Sequence, residues 1–466
     1  MFFKQFYLES LGHASYLIGD ERTGQALVLD PRRDVADYFD EARRNGLRIA
    51  HAIDTHGHND YLSGLTEVRS RQEVEVLAYN DAEVGYDHRA VKDGEVVEMG
   101  EVAFEIVHTP GHTPEHVSLL VYDRLTGEEP AMLLSGGALL VGDLGRPDLL
   151  GGEDMAREMA ITFCHTIQER ILFHLPDHLE VYPTHVAGSL CGGNIGSRLS
   201  TTLGYERKSN AILARISSSE EFVEECMRLD NLPAIPPYWR RMRKQNMAGV
   251  APLGLLGEPP ALRVPHFEDA MSGAIVLDCR QPDAFASGFI PGALNVGLGP
   301  SFSTWAGTVL PEGARVLLVL DSPDDLWEAT WQLLRIGYDS PLGWLGGGMN
   351  AWRNSARPVA TMPQMTVAEL RARKERGDLG VLDVRQPAEW SSRHIPGASF
   401  ITAAELSERI DDVPRAPTAV ICGGGYRSTV AASLLAAKGY DDVAVVVGGM
   451  SAWGAAGYET EAGSST

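Results

Sequence analysis

Cysteine and basic residues are both scarce in this chain. Its 466 residues include five cysteines, an odd number spread thinly along the sequence. Disulfide frameworks belong to short, cysteine-dense secreted domains, so we expect free thiols. The chain has 40 Lys and Arg against 63 Asp and Glu, with a formal net charge of −23. Nucleic acid and anionic membranes require clustered cations, so we expect neither as a partner.

Long apolar runs are also lacking. No 18 apolar residues occur in a row, and no basic segment followed by an apolar run opens the sequence. We therefore expect neither a membrane span nor a secretory signal, and a cytoplasmic location. With 44% hydrophobic and 22% charged residues, the composition is that of an ordinary globular protein. The length suits about two to four domains.

The first 200 or so residues alternate short β-rich runs, such as ALVLD and AFEIVHT, with helical stretches such as VADYFDEARRNG. This rhythm predicts an α/β domain. The later stretch IPPYWRRMRKQNMAGVAPLGLLGEPPAL is rich in proline and predicts an extended linker. A domain boundary is therefore expected near residue 255.

Beyond the linker the chain repeats itself. The segment IVLDCRQPDAFASGFIPGALNV, starting at Ile275, returns as VLDVRQPAEWSSRHIPGASF, starting at Val381, and LGGGMNAW returns as VGGMSAW. Tandem copies of one domain explain this pattern. We predict a first domain at 1–255, a first copy at 256–360 and a second copy at 361–466.

The second copy resembles the rhodanese family through DVRQPAEW, HIPGA, CGGGYRS and GGMSAW, four separated motifs in the expected order. Strands alternate with helices in both copies, which predicts parallel sheets covered on both faces. Cys422 follows an apolar strand and precedes a helix, where inward-pointing amides and Arg427 favour a thiolate that can carry sulfane sulfur. The loop that would cradle this persulfide consists of Gly423, Gly424, Gly425, Tyr426 and Ser428.

The first copy has no cysteine at the corresponding place. It reads VLLVLDSPDDLWEAT, in which Asp321, Asp324 and Asp325 would repel a thiolate or thiosulfate. We therefore expect this copy to be inactive and to act as a scaffold. It also offers, together with the helices before the linker, contact surfaces for a homo-oligomer.

The first domain carries four polar stations, each where a predicted strand gives way to a loop. They are THGHNDY with His56, His58 and Asp60, GHTPEH with His112, GDLGRPD with Asp143, and YPTHVAG with His185. In this order they resemble the metallo-β-lactamase superfamily. The resemblance implies an αββα sandwich with a metal site at one edge of its sheets, so the expected fold class is α/β throughout.

Tyr61 is a departure from the superfamily pattern. Two-zinc hydrolases resemble HxHxDH here, and this chain has tyrosine in the last position. Losing that imidazole favours a single metal. The branch with one metal is the persulfide dioxygenases, and this resemblance implies one Fe²⁺ per chain at His56, His112 and Asp143, a set that suits non-haem iron.

The remaining polar residues of the motifs have two interpretations. His58, Asp60 and His185 would orient the metal ligands and bound water. Alternatively, Asp60, Asp143 and His185 could hold a weaker second ion, which keeps a dizinc site open. Cys191, in the Gly-rich segment SLCGGN, is either a thiol facing the substrate or a small residue needed for packing. Persulfide dioxygenases fused to tandem rhodanese domains, which the chain resembles from end to end, carry a similar segment.

The resemblance implies oxidation of a low-molecular-weight persulfide, of glutathione or coenzyme A type, with O₂ to sulfite. Cys422 would then transfer sulfane sulfur, with thiosulfate as a product, in sulfide detoxification. Two alternatives stay open. One is a dizinc thioesterase of glyoxalase II type with an attached sulfurtransferase. The other is a non-enzymatic sulfur carrier.

Overall fold

The structure is a computed structural model that describes residues 1–229, 232–339 and 341–463. It divides into two compact units: unit 1 comprises Met1–Leu232 with Trp239–Gly254, and unit 2 comprises Pro233–Tyr238 with Leu255–Thr466. Within the described ranges, no helix is both long enough and apolar enough to cross a membrane.

Unit 1 contains two mixed six-stranded sheets. The first consists, in spatial order, of β1 (Phe2–Leu8), β2 (His13–Asp20), β3 (Gln25–Leu29), β4 (Arg48–Ile53), β5 (Glu75–Tyr79) and β6 (Arg89–Val91). The second consists, in spatial order, of β7 (Val96–Glu98), β8 (Val102–His108), β9 (Val117–Asp123), β10 (Met132–Gly136), β11 (Glu180–Pro183) and β12 (Thr201–Thr202). Strands β3 to β6 are parallel neighbours, whereas β7 to β10 pair antiparallel.

Three apolar layers show how the sheets and helices of unit 1 stack. The helices are α1 (Ala36–Arg44), α2 (Leu65–Arg71), α3 (Glu153–Thr166), α4 (Leu203–Ser209), α5 (Ser219–Cys226) and α6 (Trp239–Ala248). Along β2, Tyr16 belongs to the core between the sheets with Phe104, while its neighbour Leu17 belongs to an outer core with Tyr38 of α1. Phe163 of α3 lies in the other outer core. Side chains alternate across each strand, so both sheet faces are covered, and the predicted αββα sandwich is confirmed.

The predicted extended linker is wrong for Trp239–Ala248, which forms α6. These ten residues contain no proline, and their Arg, Met, Lys and Gln favour helix. Asn246 fixes the helix to unit 1, because its amide donates to the carbonyl oxygens of His58 and Tyr61, both at 2.8 Å.

Unit 2 contains two five-stranded parallel sheets with the same topology, one for each copy of the repeat. The first copy has β13 (Ala261–Leu262), α7 (Val264–Ala270), β14 (Ile275–Asp278), α8 (Pro282–Ala286), β15 (Leu294–Asn295), α9 (Phe302–Val309), β16 (Val316–Val319), α10 (Leu326–Arg335), β17 (Gly343–Leu345) and α11 (Gly348–Asn354). The second copy has β18 (Gln364–Met365), α12 (Val367–Arg376), β19 (Gly380–Asp383), α13 (Pro387–Ser392), β20 (Ser399–Phe400), β21 (Thr418–Ile421), α14 (Tyr426–Ala437), β22 (Val443–Val446) and α15 (Gly449–Ala455). The orders β13-β17-β16-β14-β15 and β18-β22-β21-β19-β20 match strand for strand, which confirms the predicted parallel sheets.

Candidate metal centre and sulfur-transfer loop

Three histidines meet at one edge of the unit 1 sheets. His56 follows β4, His112 follows β8 and His185 follows β11. All three side chains are buried, and one ring nitrogen of each lies within 4.8 Å of the other two. The Nε2 atoms of His56 and His185 are 3.3 Å apart. This three-histidine cluster has the donor chemistry of a transition-metal site.

The outer ring nitrogens of two cluster members are held by hydrogen bonds. His112 Nδ1 donates to the carbonyl oxygen of Arg146 at 2.9 Å. His56 Nδ1 lies 2.8 Å from the Thr55 hydroxyl, which donates its own proton to Asp30 and therefore accepts from His56. Both rings thus present Nε2 to the centre, and His112 Nε2 is buried without a hydrogen-bond partner among the described residues. Such outer contacts are what orient metal-binding histidines, so the cluster fits a metal.

Burial also keeps these two rings neutral. It lowers the pKa of His56 and of His112 well below the usual range, and neighbouring imidazoles lower both further. A histidine must be neutral to bind a metal. His116 is buried nearby, but it accepts a hydrogen bond from the Gly137 amide through Nε2, and its Nδ1 lies 2.8 Å from the Thr109 hydroxyl. Its nitrogens are therefore already occupied.

Asp143 lies outside the three-histidine cluster. Its carboxylate accepts hydrogen bonds from the backbone amides of Asn194 at 2.7 Å and Leu144 at 2.9 Å. It lines a separate cavity of about 170 Å³, together with Cys226. The structure thus brings together His56 and His112 of the predicted ligands but not Asp143, whose role as a ligand stays a prediction.

Two glycines lie against the His112 ring. A Cβ on Gly137 would lie 2.4 Å from His112 Cδ2 and 3.0 Å from its Nε2, and one on Gly145 would lie 2.8 Å from Nδ1. The chain therefore passes the His112 ring as bare backbone on both sides. Asp143 lies between these two glycines in the sequence.

His58 and Tyr61 contact Asp30. His58 Nε2 lies 3.0 Å from an Asp30 carboxylate oxygen, and the Tyr61 hydroxyl donates to the Asp30 carbonyl oxygen at 3.2 Å. Burial opposes a charge on His58, but the Asp30 carboxylate outweighs it and raises the pKa of His58. His58 Nε2 therefore faces Asp30 and not the three-histidine cluster.

Sequence reasoning missed Asp30 and His13. Asp30 directly follows β3 and accepts hydrogen bonds from the Thr55 amide at 2.6 Å and from the Thr184 hydroxyl. His13 Nε2 lies 3.0 Å from the Asp30 carbonyl oxygen. The available signal was an aspartate at the end of a buried strand, the same placement that marked the four stations. His13 begins β2 and carries no motif.

Cys191 lies beside the cluster with Asp60. Donor atoms of Asp60, His185 and Cys191 lie within 4.8 Å of one another, and all three side chains are buried. Asp60 Oδ2 is 3.5 Å from His185 Nδ1. Burial opposes a charge on His185, but the nearby Cys191 and Asp60 outweigh it and raise the pKa of His185 well above the usual range. A metal bound at His185 would therefore displace a proton from this ring.

A cavity of about 670 Å³ in unit 1 is lined partly by basic residues of α6. Arg240, Arg243 and Lys244 contribute to its wall, together with Glu115 and other side chains. Arg243 pairs with Glu115 at 2.7 Å, and Glu115 accepts a hydrogen bond from the Gly57 amide at 2.9 Å. Gly57 lies between His56 and His58, so this ion pair ties α6 to the metal motif.

The Cys422 loop follows β21 and leads directly into α14. The Gly425 amide donates to Cys422 Sγ at 3.1 Å, and Ser428 Oγ lies 3.4 Å from the same sulfur. Gly425 has φ of +123°, which glycine adopts without strain. The loop therefore aims backbone and hydroxyl groups at the sulfur, as expected for a persulfide cradle.

Arg427 is held at the side of this loop by Glu389. Its Nη2 donates to Glu389 Oε1 at 2.8 Å, and the other nitrogen of the fork bonds Oε2 at 2.5 Å. Burial alone would raise the pKa of Glu389, but the Arg427 contacts outweigh burial and lower it. A Cβ on Gly423 would lie 3.2 Å from Arg427 Nη2, so the guanidinium is adjacent to the loop backbone.

The other cysteines are buried thiols. Burial raises the pKa of Cys164, that of Cys226 to about 12, and that of Cys279 well above the usual range. A protonated, buried thiol is a poor nucleophile.

Comparison with known proteins agrees with this division of the chain. The family model of the rhodanese-like domain matches residues 266–355 and 366–456. Mitochondrial persulfide dioxygenase ETHE1 of Bos taurus is 31% identical over 224 residues, which are 47% of this chain and 77% of that protein. A hydroxyacylglutathione hydrolase of Polaromonas is 34% identical over 175 residues, 37% of this chain and 61% of that protein.

A solved structure covers more of the chain. The crystal structure of a metallo-β-lactamase from Staphylococcus aureus is 30% identical, with a TM-score of 0.66, and the match covers 74% of this chain and 98% of that one. The coverage exceeds the length of unit 1, so the similarity extends into unit 2. The chain belongs to the ETHE1 persulfide dioxygenase family of the metallo-β-lactamase fold, with two rhodanese-like domains fused behind it.

Proposed function

We propose that unit 1 oxidises a low-molecular-weight persulfide with O₂, using one Fe²⁺ held by His56, His112 and His185. The reaction consumes persulfide, O₂ and water and yields the thiol, sulfite and two protons. Bound Fe²⁺ would supply the redox chemistry that couples O₂ to the sulfane sulfur. The observation that carries the proposal is the buried three-histidine cluster, in which hydrogen bonds already hold the outer nitrogens of His56 and His112.

The chain's own residues would orient the ligands and the substrate. The Arg146 carbonyl and the Thr55 hydroxyl hold His112 and His56, so that the inward nitrogens need no rearrangement when a metal binds. The cavity beside the motif is large enough for a thiol carrier, and the basic residues of α6 suit the carboxylates of glutathione or the phosphates of coenzyme A.

Cys422 would carry sulfane sulfur in the second copy. The Gly425 amide at 3.1 Å can stabilise the charge of a thiolate or persulfide. Transfer of that sulfur to sulfite would give thiosulfate, and tethering both activities on one chain raises the local concentration of the shared intermediate.

Metal content and O₂ uptake test the iron proposal and its ligand set together. Protein purified without added zinc should hold about one iron, consume O₂ on addition of glutathione persulfide and release sulfite. His185→Ala should lose both metal and O₂ uptake, whereas the matched carboxylate variant Asp143→Asn should keep the iron. If Asp143→Asn loses the iron and His185→Ala keeps it, the ligands are His56, His112 and Asp143 instead.

A zinc thioesterase is the second candidate, because three imidazoles also suit Zn²⁺ and one relative is a hydroxyacylglutathione hydrolase. Two zinc ions per chain with cleavage of glutathione thioesters would support it and contradict the dioxygenase. If His56→Ala leaves every activity intact, a sulfur-carrier function replaces both.

A further inference from the structure

The first rhodanese-like copy has an open cavity where the second copy has its sulfur-transfer loop. The cavity measures about 350 Å³ and lies at the carboxyl ends of β14, β16 and β17. Strand β15 lies on one side of β14, and β16 and β17 lie on the other, so the connections change direction at this point of the sheet. Open parallel sheets bind their ligands at such a point, and sites for small molecules begin at about 300 Å³.

Helix α11 is less closely packed on the neighbouring loop than its counterpart α15. In the second copy the Met450 amide of α15 donates to the Cys422 carbonyl oxygen at 2.8 Å. Among the described residues of the first copy, no backbone hydrogen bond joins α11 to Leu320 or to the loop that follows it. A Cβ on Gly449, the first residue of α15, would lie 2.3 Å from the Cys422 carbonyl oxygen. One on Gly348, the first residue of α11, would lie 3.6 Å from the Leu320 carbonyl oxygen, so the first copy keeps a space that the second copy fills.

Two opposite charges on the cavity wall do not pair with each other. Within the part of the chain that the structure describes, Arg353 has no acidic partner and makes one long hydrogen bond, 3.5 Å to the Gly288 carbonyl oxygen. Asp321 accepts a hydrogen bond from a backbone amide, also at 3.5 Å. Arg280 lines the cavity too, but its charge is balanced by Asp278 at 2.6 Å. One guanidinium and one carboxylate are therefore available to a ligand.

The cavity wall also contains a hydrogen-bond donor that the fold does not use. Trp344 of β17 occupies the place of Val445 in the second copy, and its Nε1 is buried without a hydrogen-bond partner among the described residues. A buried donor without a partner is unfavourable, and an acceptor on a ligand would satisfy it. Leu320, Pro323 and Met349 make another part of the wall apolar.

We propose that this cavity of the first copy binds a free α-amino acid with an apolar side chain. The carboxylate of the ligand accepts hydrogen bonds from Arg353 and Trp344, and its ammonium group donates to Asp321. Leu320 and Met349 contact the side chain of the ligand. A simple anion such as thiosulfate would leave Asp321 facing a like charge, so the wall favours a zwitterion. The site does not rest on the persulfide oxidation proposed for unit 1.

Titration calorimetry on the full chain tests the class of ligand. The probes are L-methionine and L-leucine, together with N-acetyl-L-methionine, which lacks the ammonium charge, and L-methioninamide, which lacks the carboxylate. We expect saturable one-to-one binding of L-methionine or L-leucine and at least about tenfold weaker binding of both derivatives. Absence of saturable binding of either amino acid at millimolar concentration would overturn the proposal. Equally tight binding of either derivative would also overturn it, because one of the two charges would then not be recognised.

Charge variants test whether the amino acid binds in the first copy. Arg353→Gln and Asp321→Asn should each weaken its binding at least about tenfold. Arg357→Gln and Asp324→Asn are matched controls, because they remove the same charges from the first copy at positions that do not line the cavity, and both should bind normally. Unchanged affinity in Arg353→Gln or in Asp321→Asn contradicts the proposed site.

Trp344→Phe tests the buried donor with little change of side-chain shape. It should weaken amino acid binding several-fold, because the Nε1 hydrogen bond to the carboxylate is lost. Circular dichroism and the unfolding temperature show whether each variant still folds, so a lost site can be told from a lost fold. Native affinity in a folded Trp344→Phe contradicts the proposed orientation of the ligand. These measurements need no turnover, so failure of the dioxygenase proposal would leave them unaffected.

Discussion

The two rhodanese-like copies share a framework down to one ion pair. In the first copy Arg280 binds Asp278 at the end of β14 at 2.6 Å, and in the second Arg385 binds Asp383 at the end of β19 at 2.7 Å. In each buried pair the arginine also donates to a backbone carbonyl oxygen just after the next helix. The conserved plan of strand, ion pair and helix therefore maintains the fold in both copies, whether or not chemistry takes place there.

The copies differ in one loop, and strand register shows which residues correspond. Asp278 pairs with Val319, and Asp383 pairs with Ile421, so Leu320 takes the place of Cys422. After Leu320 the first copy turns into a capped helix, where Ser322 and Asp325 form a reciprocal capping box. The first copy thus has a conventional helix start where the second has the glycine loop, and we expect sulfur transfer from the second copy alone.

The first copy also contacts the active loop of the second. The Tyr426 hydroxyl donates to the Gly297 carbonyl oxygen at 2.6 Å, and Ser433 of α14 accepts from the Asn295 amide at 2.9 Å. These contacts join the last residue of β15 and the segment that follows it to α14, the helix after Cys422. The scaffold function that the missing cysteine predicted for the first copy stays a prediction, and these two contacts support it.

Replacing Cys422 should have the largest effect and should show most clearly that the two copies differ in sulfur transfer. Cys422→Ser should lower thiosulfate:cyanide sulfur transfer by at least about a thousandfold, because a hydroxyl cannot form the persulfide. O₂ uptake by unit 1 should stay measurable. Cys279→Ser, at a buried thiol of the first copy, is the matched control and should leave transfer unchanged. Transfer retained in Cys422→Ser would mean that another cysteine carries the sulfur.

Removing the guanidinium beside the loop should have the next largest effect. Arg427→Ala breaks the two hydrogen bonds to Glu389 and removes the positive charge next to the Cys422 loop. Charge-assisted hydrogen bonds contribute about 1.5–3 kcal/mol, so transfer should fall roughly 10- to 100-fold. Arg415→Ala, which removes bonds to the Lys438 and Gly439 carbonyls far along the same copy, should leave the rate unchanged. Equal losses in both variants would indicate general destabilisation instead.

The contact between the copies should contribute a smaller amount. Tyr426→Phe removes the hydroxyl that bonds Gly297 and should cost about 1 kcal/mol, lowering the unfolding temperature of the full chain by about 2–4 °C. Tyr440→Phe is the matched control, because its hydroxyl bonds Ile410 and Val413 within the second copy. If the first copy positions the active loop, only Tyr426→Phe should also reduce sulfur transfer. If sulfur transfer is unchanged in both variants, the first copy contributes to the stability of the chain and not to sulfur transfer.

The sequence predicted the architecture well, because the repeat and the strand-end stations are local patterns. The sequence predicted His56, His112 and His185 as members of one site, and they lie together, each after the end of a strand. The repeat likewise predicted two parallel sheets with one shared topology. Such features depend on periodicity and order along the chain.

Side-chain direction in loops was harder to predict. The Asp143 carboxylate accepts a hydrogen bond from the Asn194 amide, and its role as a metal ligand stays a prediction. His185, for which the sequence predicted a role in orienting the ligands, lies 3.3 Å from His56, and that role also stays a prediction. Helix α6 was missed because proline on either side obscured ten residues of good helix formers.

The sharpest test of the comparison is to give the first copy its missing cysteine. Leu320→Cys in a Cys422→Ser background should yield no detectable sulfur transfer, because the new thiol would be followed by Asp321 and a capped helix start. No glycine loop would turn amides toward it, and the nearby carboxylates would oppose a thiolate. Replacing residues 320–326 of the same variant with CGGGYRS supplies the loop as well as the thiol. Transfer restored by this loop, but not by Leu320→Cys, would show that the backbone cradle distinguishes the two copies, whereas transfer from Leu320→Cys alone would show that the thiol suffices.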